Sequence, residues 1–169
     1  MSRVITFSTK FPAKHPRAGE PTFFVEKIVR SLNQMQPPQD INSPFSEEMY
    51  YIVEPKHHTI RAGKRWKVGD KFSPRIWSGK PYASKQIAFA NDIELVKVID
   101  IEIEFSGNRI DVQKPTDKPN HYLLLPAGEV ANNDGLDVHD FINWFAIHPK
   151  AKQEKFIGQI LCWNDKVSY

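Results

Sequence analysis

A chain of 169 residues with one cysteine, a net charge of +3 and ordinary apolar and charged fractions suits one domain whose core needs no disulfide or metal staple. The lone Cys162 excludes an intrachain disulfide and a multi-cysteine zinc site. The first ten residues lack the apolar run of a secretory signal and no stretch reaches membrane-spanning length, so the expectation is a soluble, cytoplasmic protein without a membrane partner.

Val4-Ile5-Thr6-Phe7 opens the chain as a strand, and a polar loop with two prolines follows from Lys10 to Gly19. Glu20-Pro21-Thr22 then begins a helix, with proline early, where its missing N–H costs little. Phe24, Ile28 and Leu32 recur every four residues beside Val25 and Val29, which predicts an amphipathic helix ending near Gln36 and stopped by Pro37-Pro38. Residues 39–54 mix polar and aromatic side chains without a clear period. Trp66 to Phe72 reads as a turn leading into a strand, and Trp77 to Tyr82 as a loop.

From Ile93 to Phe105 apolar residues hold the odd positions and Glu94, Asp100, Glu102 and Glu104 hold even ones, a strand long enough to bend or split in two. Gly107-Asn108 is a turn and Arg109 to Val112 a return strand. A polar loop from Lys114 to Asn120 leads to Leu123-Leu124-Leu125. Asp137 is placed to cap a second helix whose apolar face is Val138, Phe141, Ile142 and Phe145, and Phe156 to Trp163 closes the chain as a strand. The mixed order predicts an α+β fold, a small curved sheet or barrel flanked by helices.

Charge is unevenly spread. Between Lys56 and Lys85 lie nine basic residues (Lys56, Arg61, Lys64, Arg65, Lys67, Lys71, Arg75, Lys80 and Lys85) and one acidic residue, Asp70, a local balance of +8 that leaves −5 for the rest of the chain. Such a segment suits an anionic ligand, a nucleotide or a nucleic acid; the alternative is a solvated basic loop. Trp77 and Tyr82 flank Ser78-Gly79-Lys80, a mixture of rings and cations that suits unpaired bases, which stack on aromatics while Lys and Arg hold phosphates. Trp66 could serve likewise or cap the sheet. Adjacent His57 and His58 point to opposite faces of a strand and chelate poorly, so no metal and no cofactor is expected. Ser78-Gly79-Lys80-Pro81 lacks the rest of a phosphate loop, and no zinc-deaminase or Gly-x-Ser-x-Gly pattern occurs.

Lys56-x-x-Thr59-x-Arg61 resembles the signature of the ASCH domains, which share the PUA-like β-barrel fold; Glu54 stands where that signature has glycine. Gly69-Asp70, Glu94, Asp134-Gly135-Leu136, Phe141, Trp144-Phe145 and Phe156-x-Gly158 are similar to later family elements, so the resemblance spans Tyr50 to Trp163. It divides the chain into an extension over residues 1–45, packed on an ASCH-type domain over 46–169. It implies an RNA- or nucleotide-binding module, and for some members an amidohydrolase that deacetylates N4-acetylcytidine. The basic window and its flanking rings supply the candidate binding residues Lys56, Arg61, Lys64, Arg65, Arg75, Trp77, Lys80, Tyr82 and Lys85, while the resemblance implies the catalytic residues Lys56, Thr59 and Glu94, with Glu102 or Glu104 as alternatives in the same strand. In chemical terms, a desolvated lysine becomes a base, a threonine hydroxyl needs one to become a nucleophile, and a protonated glutamate can donate to a leaving amine. The same residues could instead bind phosphate and backbone.

Overall fold

A computed structural model of the chain describes residues 2–33, 45–106, 109–146 and 155–169. It is a mixed α+β fold with four helices and two sheets among the described residues. In chain order the elements are β1 (Arg3–Thr6), α1 (Phe24–Asn33), α2 (Glu47–Ile52), β2 (His58–Ala62), β3 (Lys71–Trp77), β4 (Gln86–Ala88), β5 (Ile93–Glu94), β6 (Lys97–Ser106), β7 (Arg109–Pro115), β8 (Tyr122–Leu125), α3 (Ala127–Asn133), α4 (Val138–Ala146) and β9 (Lys155–Cys162).

The first sheet is built on β3. β1 pairs with it in parallel, β4 pairs antiparallel with its Arg75–Trp77 end, and β5 pairs antiparallel with Lys71 and Phe72. The second sheet runs β2-β9-β6-β7-β8, antiparallel throughout. The long alternating strand does split. Leu95 N–H donates at 2.9 Å to the carbonyl of Asp70, the residue before β3 of the first sheet, and the next N–H, of Val96, donates to the Cys162 carbonyl at 2.9 Å, in the second. One peptide step therefore carries the chain between sheets. Among the described residues no ladder joins the two, and neither closes on itself, so the expected barrel is not formed by these pairings. Both sheets nonetheless share one core. Ile5 and Phe72 from the first, Ile101 and Ile160 from the second, and Ile28 and Phe141 from α1 and α4 belong to a single buried cluster. Residues 2–33 enter that core through Ile5, Phe7 and Phe24 and supply a strand of the first sheet.

Helix α1 starts at Phe24, later than Glu20. Pro21 is held in a bridge with Lys10, while Thr22 donates its N–H to Thr9 and its hydroxyl to the Ser8 carbonyl, so these residues are spent on a loop tie rather than a first turn. The stripe buries Phe24, Val25, Ile28 and Val29 but leaves Leu32 exposed. The expected helix end near Gln36, the Pro37-Pro38 stop and the Gly107-Asn108 turn lie outside the described residues. Helix α2 has no apolar period; it is capped by the Ser46 hydroxyl, which accepts the Met49 N–H, and Arg30 of α1 donates to the carbonyls of Tyr50 and Val53 at its other end. At α4 the Asp137 carboxylate accepts the Asp140 N–H at 2.8 Å, the cap expected from sequence. No described helix is long and apolar enough to cross a membrane.

Candidate functional site

The basic signature segment enters β2 from the inside. Lys56 is 1 % exposed, and its Nζ donates to the Asp134 carboxylate at 2.7 Å and to the Asp134 backbone carbonyl. It also stands 4.6 Å from the Phe24 ring centroid. Gly135, at φ +78°, makes this close packing possible: a Cβ there would lie 3.2 Å from Lys56 Cβ and 3.3 Å from Lys27 Cδ. Burial pushes the Lys56 amine down to about 8; Asp134 opposes that shift, while Arg61 and Lys27 add to it. For Asp134 itself burial acts upward, but Lys56 and His58 outweigh it and hold the carboxyl below its usual range. The result is a buried carboxylate shared among cations, and Lys56 is not the surface phosphate ligand its place in a basic segment suggested.

The two histidines do face apart. His58 is fully buried, with Nδ1 3.4 Å from the Asp134 carboxylate and Nε2 2.5 Å from the Tyr169 hydroxyl. His57 is half-buried and lines a separate recess. Thr59 is buried in the β2–β9 ladder opposite Leu161. Arg61 donates to the Thr6 carbonyl at 3.1 Å and lies over the Phe7 ring at 5.0 Å. Burial lowers this guanidinium to about 10, so it too is structural in position. No group of three potential metal ligands gathers among the described residues. Cys162 is buried, and its thiol is pushed up to about 12, far from a reactive thiolate.

None of the three candidate glutamates has Lys56 as its ion-pair partner. Glu94 is exposed on β5 and pairs with Lys71 at 3.2 Å. Glu102 and Glu104 both pair with Lys155 on β9. The carboxylate that meets Lys56 is Asp134, 78 residues away in sequence.

The remaining basic residues divide in two. Lys64 pairs with Asp100 at 3.3 Å, and Arg65 is exposed and accepts a bond from Arg3 on its carbonyl. Trp66 is buried beneath Arg3, whose guanidinium lies 4.9 Å from the indole centroid, so it caps the sheet and is closed to stacking. The other group surrounds the β3–β4 connection. Arg75 and Trp77 are half-buried, while Lys80 and Lys85 are exposed. Tyr82 is 91 % exposed, with its ring centroid 5.3 Å from that of Trp77.

Trp77 belongs to a recess of about 790 Å³ whose wall also includes Phe7, Phe11, Phe23 and Phe24, with Lys10 at its edge. This aromatic set is built from the end of β1, the following loop and the start of α1, residues that sequence periodicity assigned to core or loop. Its least ordinary member is Phe23. Its φ of +54° lies in the left-handed region, unusual for a bulky residue and costing on the order of 1–3 kcal/mol. The structure holds it there because Thr22 is tied back to the Ser8–Thr9 segment and the Lys27 N–H closes the first helical turn on the Phe23 carbonyl. No pattern in the sequence announces a positive φ at a phenylalanine; the loop-to-helix tie that forces it is visible only in three dimensions. Set against known protein families, characterised proteins and solved structures, the chain matches none of them.

Proposed function

We propose that this chain is a cytoplasmic, ASCH-type, PUA-like domain protein that binds RNA or a nucleotide by taking an unpaired base into the aromatic recess beside Trp77. One observation carries the reading: the half-buried rings of Trp77 and Phe23 stand in the wall of a recess of about 790 Å³ that the buried Phe7, Phe11 and Phe24 back, and the exposed cations Lys10, Lys80 and Lys85 stand on the segments that form its edge. Bases stack on such rings while cations hold the phosphates. The fold assignment draws support from the single strand bent between two sheets and from the signature lysine packed against the Asp134-Gly135 turn. The ligand-facing cations in this reading are those of the β3–β4 connection, with Lys56 and Arg61 shaping the floor through Phe24 and Phe7.

Trp77→Ala should raise the Kd for single-stranded RNA, measured by fluorescence anisotropy, by roughly 5- to 150-fold, corresponding to about 1–3 kcal/mol per stacked base. The Tm should move little, because the indole is only half-buried. Binding should weaken with salt, less steeply in Lys80→Ala/Lys85→Ala. Unchanged affinity in Trp77→Ala would remove this recess as the base site.

A second reading is hydrolysis of an acylated nucleoside such as N4-acetylcytidine, water adding across the amide to give cytidine and acetate. It draws on the lowered Lys56 amine, which at about 8 would be neutral in roughly a tenth of molecules at neutral pH. The set it calls on is Lys56, Thr59 and Glu94; Lys56 packs on Phe24 in the recess wall, while Glu94 pairs with Lys71, so Asp134 is the carboxylate at hand for Lys56. Wild-type protein should then release cytidine and Thr59→Val should not; chromatography of the nucleoside after incubation decides it. No product above background would end the reading.

A further inference from the structure

Phe23 walls two further recesses. One, of about 120 Å³, touches Phe11 and Pro21 on the side of the aromatic recess and Lys27 and Gly135 on the other. The next, of about 570 Å³, has Phe23 at one edge and Val53, Pro55 and Leu136 in its mainly apolar wall, into which His57, Asn132, Asn133, Glu54, Asp137 and Lys27 bring polar groups. The three spaces thus follow one another past the phenylalanine ring, and the far one exchanges the aromatic rings of the near one for a histidine, two asparagines and charged side chains.

His57 gives the far recess a defined hydrogen-bonding sense. Asn164 Oδ1 accepts the Lys166 N–H at 3.2 Å, which turns the amide NH2 toward His57 Nδ1 at 2.9 Å and the Ser31 hydroxyl oxygen at 3.0 Å. Trp163 Nε1 donates to the same Ser31 oxygen at 2.9 Å. With its oxygen accepting twice, the Ser31 hydroxyl is left to donate to His57 Nδ1 at 3.1 Å. Nδ1 is therefore an acceptor whose one lone pair Ser31 and Asn164 share, and the proton sits on Nε2. Nε2–H has no hydrogen-bond partner among the described residues. Glu54 and the helix-capping Asp137 share the lining of the recess with His57, and with Lys27 they give it a formal charge of −1. A phosphate is disfavoured there. A neutral ring that accepts one bond and donates an amino group fits, as the edge of cytosine, adenine or guanine does.

We propose that this recess, with His57 in its wall, is a second nucleobase subsite, and that Phe23 is held in its strained conformation as the partition between two neighbouring bases. The natural ligand is then a strand of at least two unpaired nucleotides, with an amino-bearing base in the far subsite. This rests on the aromatic recess being the first base site and adds the class of ligand. The second subsite reads a base edge rather than a phosphate, so its contribution is nearly independent of salt.

The test is calorimetric titration of the full chain with 5′-phosphorylated mononucleotides and dinucleotides. Dinucleotides of cytidine or adenosine should bind at least tenfold more tightly than their mononucleotides, and diuridine should lose most of that gain. His57→Ala, or Phe23→Asn (which keeps a residue tolerant of the left-handed backbone), should bring dinucleotide affinity down to within about threefold of the mononucleotide, with an intact melting transition. Equal affinity for one and two nucleotides, or a gain that survives His57→Ala, overturns the second subsite and leaves the first base site standing. No binding of either ligand overturns both.

Discussion

Lys56→Met should lower stability by about 3–5 kcal/mol, the cost of leaving one partner of a buried ion pair behind. For a chain of this length that is a fall of roughly 6–20 °C in Tm. The loss is large because methionine fills the lysine's space but removes both bonds to Asp134, whose carboxylate is only 6 % exposed. Nearby positive groups soften the effect in a pH-dependent way. His58 lies 3.4 Å from the same carboxylate, and Lys56 is among the influences that hold its pKa down. Without Lys56, folded His58 binds its proton more readily, so the deficit of the variant should shrink as pH falls toward 6. At the alkaline end the sign is set by Lys56 itself. The folded chain releases that proton near 8 and the unfolded chain near 10.5. In this window the unfolded state binds more protons, so wild-type stability gains from this group as pH rises. The variant lacks that gain, and its deficit widens. Lys56→Met/Asp134→Asn should recover most of the loss, because the orphaned charge is gone. A Tm for Lys56→Met within about 2 °C of wild type would show that the pair does not hold this part of the fold.

The same pair explains what the sequence could and could not reveal. Alternation from Ile93 to Phe105 and the cap at Asp137 are local signals, set by strand pleat and by one side chain reaching three residues on, and both appear where the pattern puts them. The break at Leu95-Val96 is consistent with the length of that strand, yet its position depends on Asp70, just ahead of β3, and Cys162 in β9, which bond the two consecutive amides. Charge clustering identified a basic segment but not the direction its side chains take. Lys56 turns inward because Asp134 and Gly135 stand behind it, and nothing near residue 56 in the chain encodes them. Helices α2 and α3 are short and lean on their neighbours, as Arg30 does for α2, so neither carries a period of its own. The aromatic recess joins Phe7, Phe23 and Trp77 from three separate segments; each alone looks like core or loop.

Gly158→Ala should be nearly as damaging, at about 3 kcal/mol and roughly 6–12 °C, although it adds a single methyl group. Gly158 sits in β9, paired with Ala62 of β2 on one side and Ile101 of β6 on the other. A Cβ there would meet Phe156 Cε1 at 2.6 Å and would come closer still to the backbone carbonyl oxygen of Arg61. Flexible side chains can yield to such a contact, but a carbonyl inside a ladder yields only by moving its strand, and the Phe156 ring is itself buried. The strand that must move carries Arg61, whose guanidinium holds the Thr6 carbonyl and packs on Phe7 in the wall of the aromatic recess. The variant should therefore lose base affinity as well as stability, even at temperatures where it remains folded. Gly128→Ala is the matching control: an added Cβ meets nothing within 4 Å, and alanine is the better helix former, so stability should hold or rise by about 0.5–1 kcal/mol. Thermal melts of the two variants side by side, with RNA titration of whichever stays folded, separate the effects. A Gly158→Ala protein that melts and binds like wild type would mean that β2 can shift freely, and the claim that Arg61 fixes the floor of the recess would fall with it.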